Sequence, residues 1–169
     1  TQSGTVTIAF TINNDIPANG YIRVAIPAAA TNYNDGAPDT AAAAADNGWD
    51  LNSVADADIT TAGGTGCSWT GTEVISYGST THYIDATTTG QCTAGTVTMT
   101  IDSDPGLVNP APITSGHTQG VGDSYQWTIT TYDADPAGAG QQIDFVDALV
   151  APIESVLVSA TVEETLSFS

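Results

Sequence analysis

Along the most regular stretches of this chain every second residue is apolar, and a period of two commits those stretches to β-strand. Residues 3–12 (SGTVTIAFTI) set Val6, Ile8, Phe10 and Ile12 on one face and Thr5, Thr7, Ala9 and Thr11 on the other. Residues 20–27 (GYIRVAIP) repeat the pattern with Ile22, Val24 and Ile26, and Pro27, which has no N–H for a ladder, ends it. The NNDIPANG segment between them is turn chemistry, so the two strands are expected to form a hairpin with a longish loop. Val97, Met99 and Ile101 share a face in GTVTMTID (95–102), as do Tyr125, Trp127 and Ile129 in SYQWTITTYD (124–133). After the DADPAGAG turn, QQIDFVDALVA (141–151) reads as the partner of that last strand, broken at Pro152. The closing stretch, 154–169, aligns Val156, Val158, Ala160, Val162, Leu166 and Phe168 at even positions, with a bend expected at Glu163 and Glu164.

Residues 28–66 depart from this rhythm. They are rich in Ala, Asn, Asp and Gly, and at most one short helix is expected there, around AAAAA between Asp39 as N-cap and Gly48 as stop. Residues 63–92 suggest two short strands around turns, and 103–123 a Pro- and Gly-rich connection. Short strands, Gly/Pro turns and connections of Greek-key length predict an all-β fold, an antiparallel Ig-like or jelly-roll β-sandwich carrying a long Ala/Asp/Gly-rich excursion. The 169 residues fit one domain, 1–169, and 41% hydrophobic residues suffice for a core.

Charge narrows the function. Nineteen acids, fifteen of them Asp, face a single Arg23, and there is no Lys, for a formal charge of −18. Such a chain has nothing to neutralise phosphates, which excludes a nucleic-acid groove, and it is repelled by anionic membrane surfaces. Without Lys it forms no Lys–Asn isopeptide bond. No apolar run reaches the roughly 18 residues of a membrane span, so no membrane-spanning segment is expected. Thr1 opens directly on strand pattern, so the leader of an exported form is expected to have been removed or to lie outside this sequence, and a type IV pilin-like subunit with its apolar N-terminal helix is not expected. Self-repulsion must be met by salt, bound cations or spacing within an assembly.

Cys67 and Cys92 are the only cysteines. A disulfide is the better reading, with two buried thiols as the alternative, and it would contribute about 3.5 kcal/mol in the chain-entropy model. Calcium is the one cofactor the sequence suggests. Asn32, Asn34, Asp35 and Asp39, then Asp46 and Asp50, then Asp133 and Asp135 place oxygen donors close together on turn backbone, which suits a hard cation. None of these matches a twelve-residue calcium loop, and Asp caps turns equally well with no ion. Catalytic signals are weak: carboxylate pairs arise by chance among nineteen acids, no GxSxG elbow accompanies His82 and its neighbour Asp85, and GGTGC lacks the Lys of a phosphate loop. Trp49, Trp69 and Trp127 offer a sugar-stacking platform, although Trp127 shares the core-facing parity of Tyr125 and Ile129. No Asn-x-Ser/Thr site for N-linked sugar occurs, while the many Thr residues leave O-linked sugar open.

The segments IPANGYIRVAIP, GTVTMTI, LVNPAPITSG, YQWTITTYD and VLVSATVEETLSF resemble, in that order, β-sandwich domains of large extracellular and surface proteins of bacteria, including uncultivated ultrasmall lineages, and of archaea. The resemblance covers most of the chain and implies a structural or adhesive surface role, with no catalytic residues. The 28–62 stretch departs from a minimal domain of this kind.

Together the expected bridge, the missing Lys and the resemblance point outside the cell, to the cell surface. The leading expectation is a structural, pilus-like subunit of a filament, sheath or surface layer, with copies of itself as partners, held by donor-strand complementation through 156–168. The alternative is an adhesin or carbohydrate-binding module that recognises glycans, with calcium ordering its loops. A hydrolase trails both.

Overall fold

The computed structural model describes residues 4–29, 31, 33–38, 46–71, 73–113, 115 and 122–152. Eight strands run in chain order: β1 Val6–Ile12, β2 Tyr21–Pro27, β3 Ile59–Thr65, β4 Val74–Ser76, β5 Thr81–Thr87, β6 Thr93–Ile101, β7 Tyr125–Tyr132 and β8 Gln142–Val150. They form two antiparallel sheets, a three-stranded one ordered β1-β6-β3 and a five-stranded one ordered β4-β5-β2-β7-β8. The fold is the all-β sandwich expected from the period of two.

The alternation assigns faces correctly. Ile22, Val24 and Ile26 of β2 are fully buried, as are Val97, Met99 and Ile101 of β6, while Tyr125, Trp127 and Ile129 of β7 are nearly so. These side chains meet between the layers with Ile84 of β5 and with Ile12, which closes the end of β1. Burying apolar faces between two sheets is the dominant stabilising contribution in such a sandwich.

The expected β1–β2 hairpin does not form. β1 pairs with β6, Val6 opposite Ile101 through Ile12 opposite Gly95, whereas β2 sits between β5 and β7 in the other sheet. Residues 13–20 therefore carry the chain from layer to layer. Alternation states which face a strand buries, but not which strand lies beside it. The crossing still uses the turn chemistry of its sequence: Asn19 takes a φ of 62°, Gly20 N–H donates to Pro17 O at 2.9 Å, and a Cβ on Gly20 would stand 2.8 Å from Tyr132 O.

The 28–66 stretch is no appendage either, since it supplies β3 and much of one end of the core. Trp49, Leu51, Val54 and Ile59 are all buried. Instead of a regular strand, 49–54 makes isolated bridges, Ala28 with Trp49 and Asp50 with Val108. A short 3-10 turn, Asp56–Asp58, precedes β3, and Asp58 reaches back to accept the Ala55 N–H at 2.8 Å. The short helix expected around AAAAA lies outside the described residues.

Candidate functional site: the open flank between β1 and β8

The two sheets differ in width, so the sandwich has two unlike flanks. On one, β3 faces β4 and β5. The disulfide Cys67–Cys92 forms there, as expected, and ties the segment after β3 to the start of β6. β3 itself kinks at Gly63 and Gly64, with φ of 85° and 79°, where its register against β6 shifts. A Cβ on Gly64 would collide with Cys67 Sγ, so only glycine fits beneath the bridge. Trp69 lies half-buried over this kink and donates its indole N–H to Gly63 O at 3.1 Å. Tyr77 donates its hydroxyl to Val54 O at 2.7 Å, and Ile75 N–H reaches Asp56 at 3.0 Å, so side chains and main chain span the layers.

On the other flank β1 faces β8. Each pairs on one side only among the described residues, β1 with β6 and β8 with β7. β8 places Val146 opposite Ile129 and Ala148 opposite Trp127, both core-facing partners, so these two belong to the inner face. Phe145 and Leu149, opposite Thr130 and Gln126, belong to the outer face. Ile143 and Val150 pack against the core, yet among the described residues the middle of β8 is covered on neither face: Phe145 is 63%, Val146 48% and Leu149 74% exposed. Between the edges lies a recess of about 90 Å³ lined by Phe10, Ile12, Ile129, Thr131, Asp144 and Val146. Asn14 closes one end, donating its amide to both carboxylate oxygens of Asp144 at 2.8 and 2.9 Å. Ligand pockets run to about 300 Å³ and more, so this recess is a seam between strand edges.

Five of the residues expected to bind calcium hold backbone N–H groups. Asp50 is buried, and its carboxylate accepts the N–H groups of Asp35 (2.7 Å), Gly36 (3.2 Å) and Asn52. Asn34 accepts Ser53 N–H at 2.7 Å, and Asp35 caps its own turn at Ala37 N–H, 2.9 Å. Asp133 accepts Gln141 N–H at 2.6 Å and Asp135 accepts Ala137 N–H at 2.8 Å, pinning the β7–β8 turn. Asp46 is exposed, and Asn32 and Asp39 lie outside the described residues. No group of three or more His, Cys, Asp or Glu side chains gathers among the described residues.

His82 and Asp85 fall on opposite faces of β5 and do not pair. His82 is buried, with Nδ1 accepting Gly78 N–H at 3.4 Å and Nε2 3.1 Å from Trp49 O, an arrangement that fits a neutral ring carrying its proton on Nε2. Burial pushes its imidazole below the ordinary value, against a weaker opposing pull from Trp49 O and Asp50. Asp85 instead holds Arg23 through two 2.7 Å hydrogen bonds, and the guanidinium lies 4.6 Å from the Tyr83 ring centroid. The sugar platform is not assembled: Trp49 packs edge-on against both Tyr125 and Trp127 in the core, leaving Trp69 apart. The sequence reading missed the exposure of β8. Its signal was present in QQIDFVDALVA, where Ile143, Phe145 and Leu149 occupy one parity and Val146, Ala148 and Val150 the other, the pattern of a strand covered on both faces. The expected exchange strand, Val156, Val158, Ala160, Val162, Leu166 and Phe168, lies outside the described residues.

No helix among the described residues is long and apolar enough to cross a membrane. Comparison with protein-family models, with curated proteins and with solved structures finds no match.

Proposed function

We propose that this chain is a structural subunit of an extracellular filament, sheath or surface layer, assembled by exchange of β-strands between copies. One observation carries the reading. Among the described residues β8 is a nine-residue edge strand with Phe145, Val146 and Leu149 exposed on its two faces, beside a β1 whose second edge is also open. Protein edges of this length are ordinarily covered, kinked or guarded by Lys, and this chain has no Lys. Strand addition satisfies such an edge, and a head-to-tail contact that does not close on itself gives a filament. The disulfide supports an oxidising, external location.

Negative-stain microscopy of the full chain at physiological salt tests the reading, with ordered polymers expected. A persistently monomeric chain that binds immobilised glycans would replace it with the adhesin or carbohydrate-binding reading. A chelator added to the polymers tests any part played by calcium, since dissolution would require cation sites between copies.

A further inference from the structure

The pairing fixes the chain directions at the open flank. β2 and β8 both run antiparallel to β7, so they share a direction. β1 hands the chain to β2 across the layers through 13–20, and the Asn14–Asp144 contact joins the far end of β1 to the near end of β8. β1 therefore runs opposite to β8, and Val150 leaves β8 at the end where β1 begins. A segment following Pro152 that filled the seam of its own copy would run antiparallel to β8 but, on the free edge of β1, in the same direction as β1. Parallel pairing is the less stable ladder. A strand from another copy is free to enter from the opposite end.

Resting on the strand-exchange reading, we infer that the seam between β1 and β8 accepts residues 156–162 of a second copy, antiparallel to β1. The match is in length and period. β1 offers seven residues with Val6, Ile8, Phe10 and Ile12 turned inward. Residues 156–162 are also seven, with Val156, Val158, Ala160 and Val162 at alternate positions. Strand addition puts the donor main chain on the free edge of β1 and those four side chains over Val146 and Ala148, the bare inner face of β8. Glu163 and Glu164 follow directly, so the carboxylates stay in water beyond the seam. In this register Thr11 stands opposite residue 157 and Thr7 opposite residue 161, whereas parallel entry would exchange the two.

Short-range thiol bridging in the full chain reads that register. Isotopically light copies carry Thr11→Cys; heavy copies carry Leu157→Cys or Thr161→Cys; the mixture is treated with dibromobimane. The expected result is a light–heavy bridge from position 11 to 157, at least tenfold above the bridge from 11 to 161, because four residues of slip move the partner by about 13 Å. A dominant 11–161 bridge overturns the antiparallel entry. A bridge formed within one doubly substituted chain diluted into unsubstituted copies overturns the second copy as donor. Polymers without any bridge overturn the acceptor seam and leave the filament reading standing, whereas light–heavy bridges without polymers keep the seam and remove the filament. Val146→Asp, on the inner face, is expected to lower polymer mass at least tenfold, and Leu149→Asp, on the outer face, to leave it within twofold; equal losses would place the contact elsewhere on β8.

Discussion

Where β3 faces β4, the chain seals its own sandwich with a disulfide, a tryptophan over a glycine kink and a tyrosine bonded to the opposite layer. Where β1 faces β8, the hydrogen bonds of Asn14 to Asp144 make the span, and large apolar side chains stand in solvent. Both flanks face the same difficulty, because an open sheet edge invites another strand. The first solves it internally, with a three-residue edge strand in β4 and a bulged one in β3. The second keeps two long edges ready for pairing. On the proposed reading, the difference assigns stability and association to separate sides of one fold, so each can be disturbed without the other.

The sharpest way to break the closed flank is to remove its bridge. Cys67→Ser with Cys92→Ser is expected to cost about 3.5 kcal/mol in urea unfolding, from the entropy returned to the unfolded chain. Gly64→Ala should cost about 2 kcal/mol, since its positive φ and the neighbouring Cys67 sulfur both resist a side chain. Tyr77→Phe should cost about 1 kcal/mol by freeing Val54 O, again by urea unfolding.

A pH series sharpens the same comparison, because His82 lies beside Tyr77, with ring centroids 6.4 Å apart. Its folded pKa is lowered by burial, so the unfolded chain takes up the proton first. Its contribution is intact above its ordinary value of about 6.5 and is lost as pH falls through its lowered folded value. The stability gap between wild type and His82→Gln should therefore narrow as the buffer is taken from about pH 7 to 5, the window in which histidine titrates. The smallest effect belongs to the open flank: Leu149→Ser should leave the unfolding free energy of the unassembled chain within about 0.5 kcal/mol of wild type in urea.

Much of this was legible in the sequence, for reasons that differ by element. β1, β6 and β7 alternate because one face of each meets the core, while the other carries polar residues such as Thr7, Thr98 and Gln126. Cys67 and Cys92 were the only candidates for a bridge. Sheet membership was not legible, because the turn residues of 13–20 serve a hairpin and an interlayer crossing equally well. β3 was hidden by its composition: ITTAGGT holds a single large apolar residue, and its path depends on two glycines bending beneath a bridge formed with a distant strand. The Asp-rich turns suggested an ion because the oxygen that caps a backbone N–H is the same oxygen that would hold a cation. As for the candidate site, the apolar residues of β8 could be counted in advance, but only the sheet order reveals that nothing among the described residues covers them.

The Arg23–Asp85 pair has a consequence for proteolysis. Arg23 is the only Lys or Arg in the chain. A protease that cuts after basic residues therefore has one bond to attack, and it lies within β2, paired on both sides between β5 and β7. Its side chain is already engaged by a carboxylate and a tyrosine ring. Cleavage there must wait for the five-stranded sheet to open, one of the costliest excursions a folded domain makes. The folded chain is thus expected to resist an entire class of digestive enzymes, a property that would serve the exposed structural role proposed above.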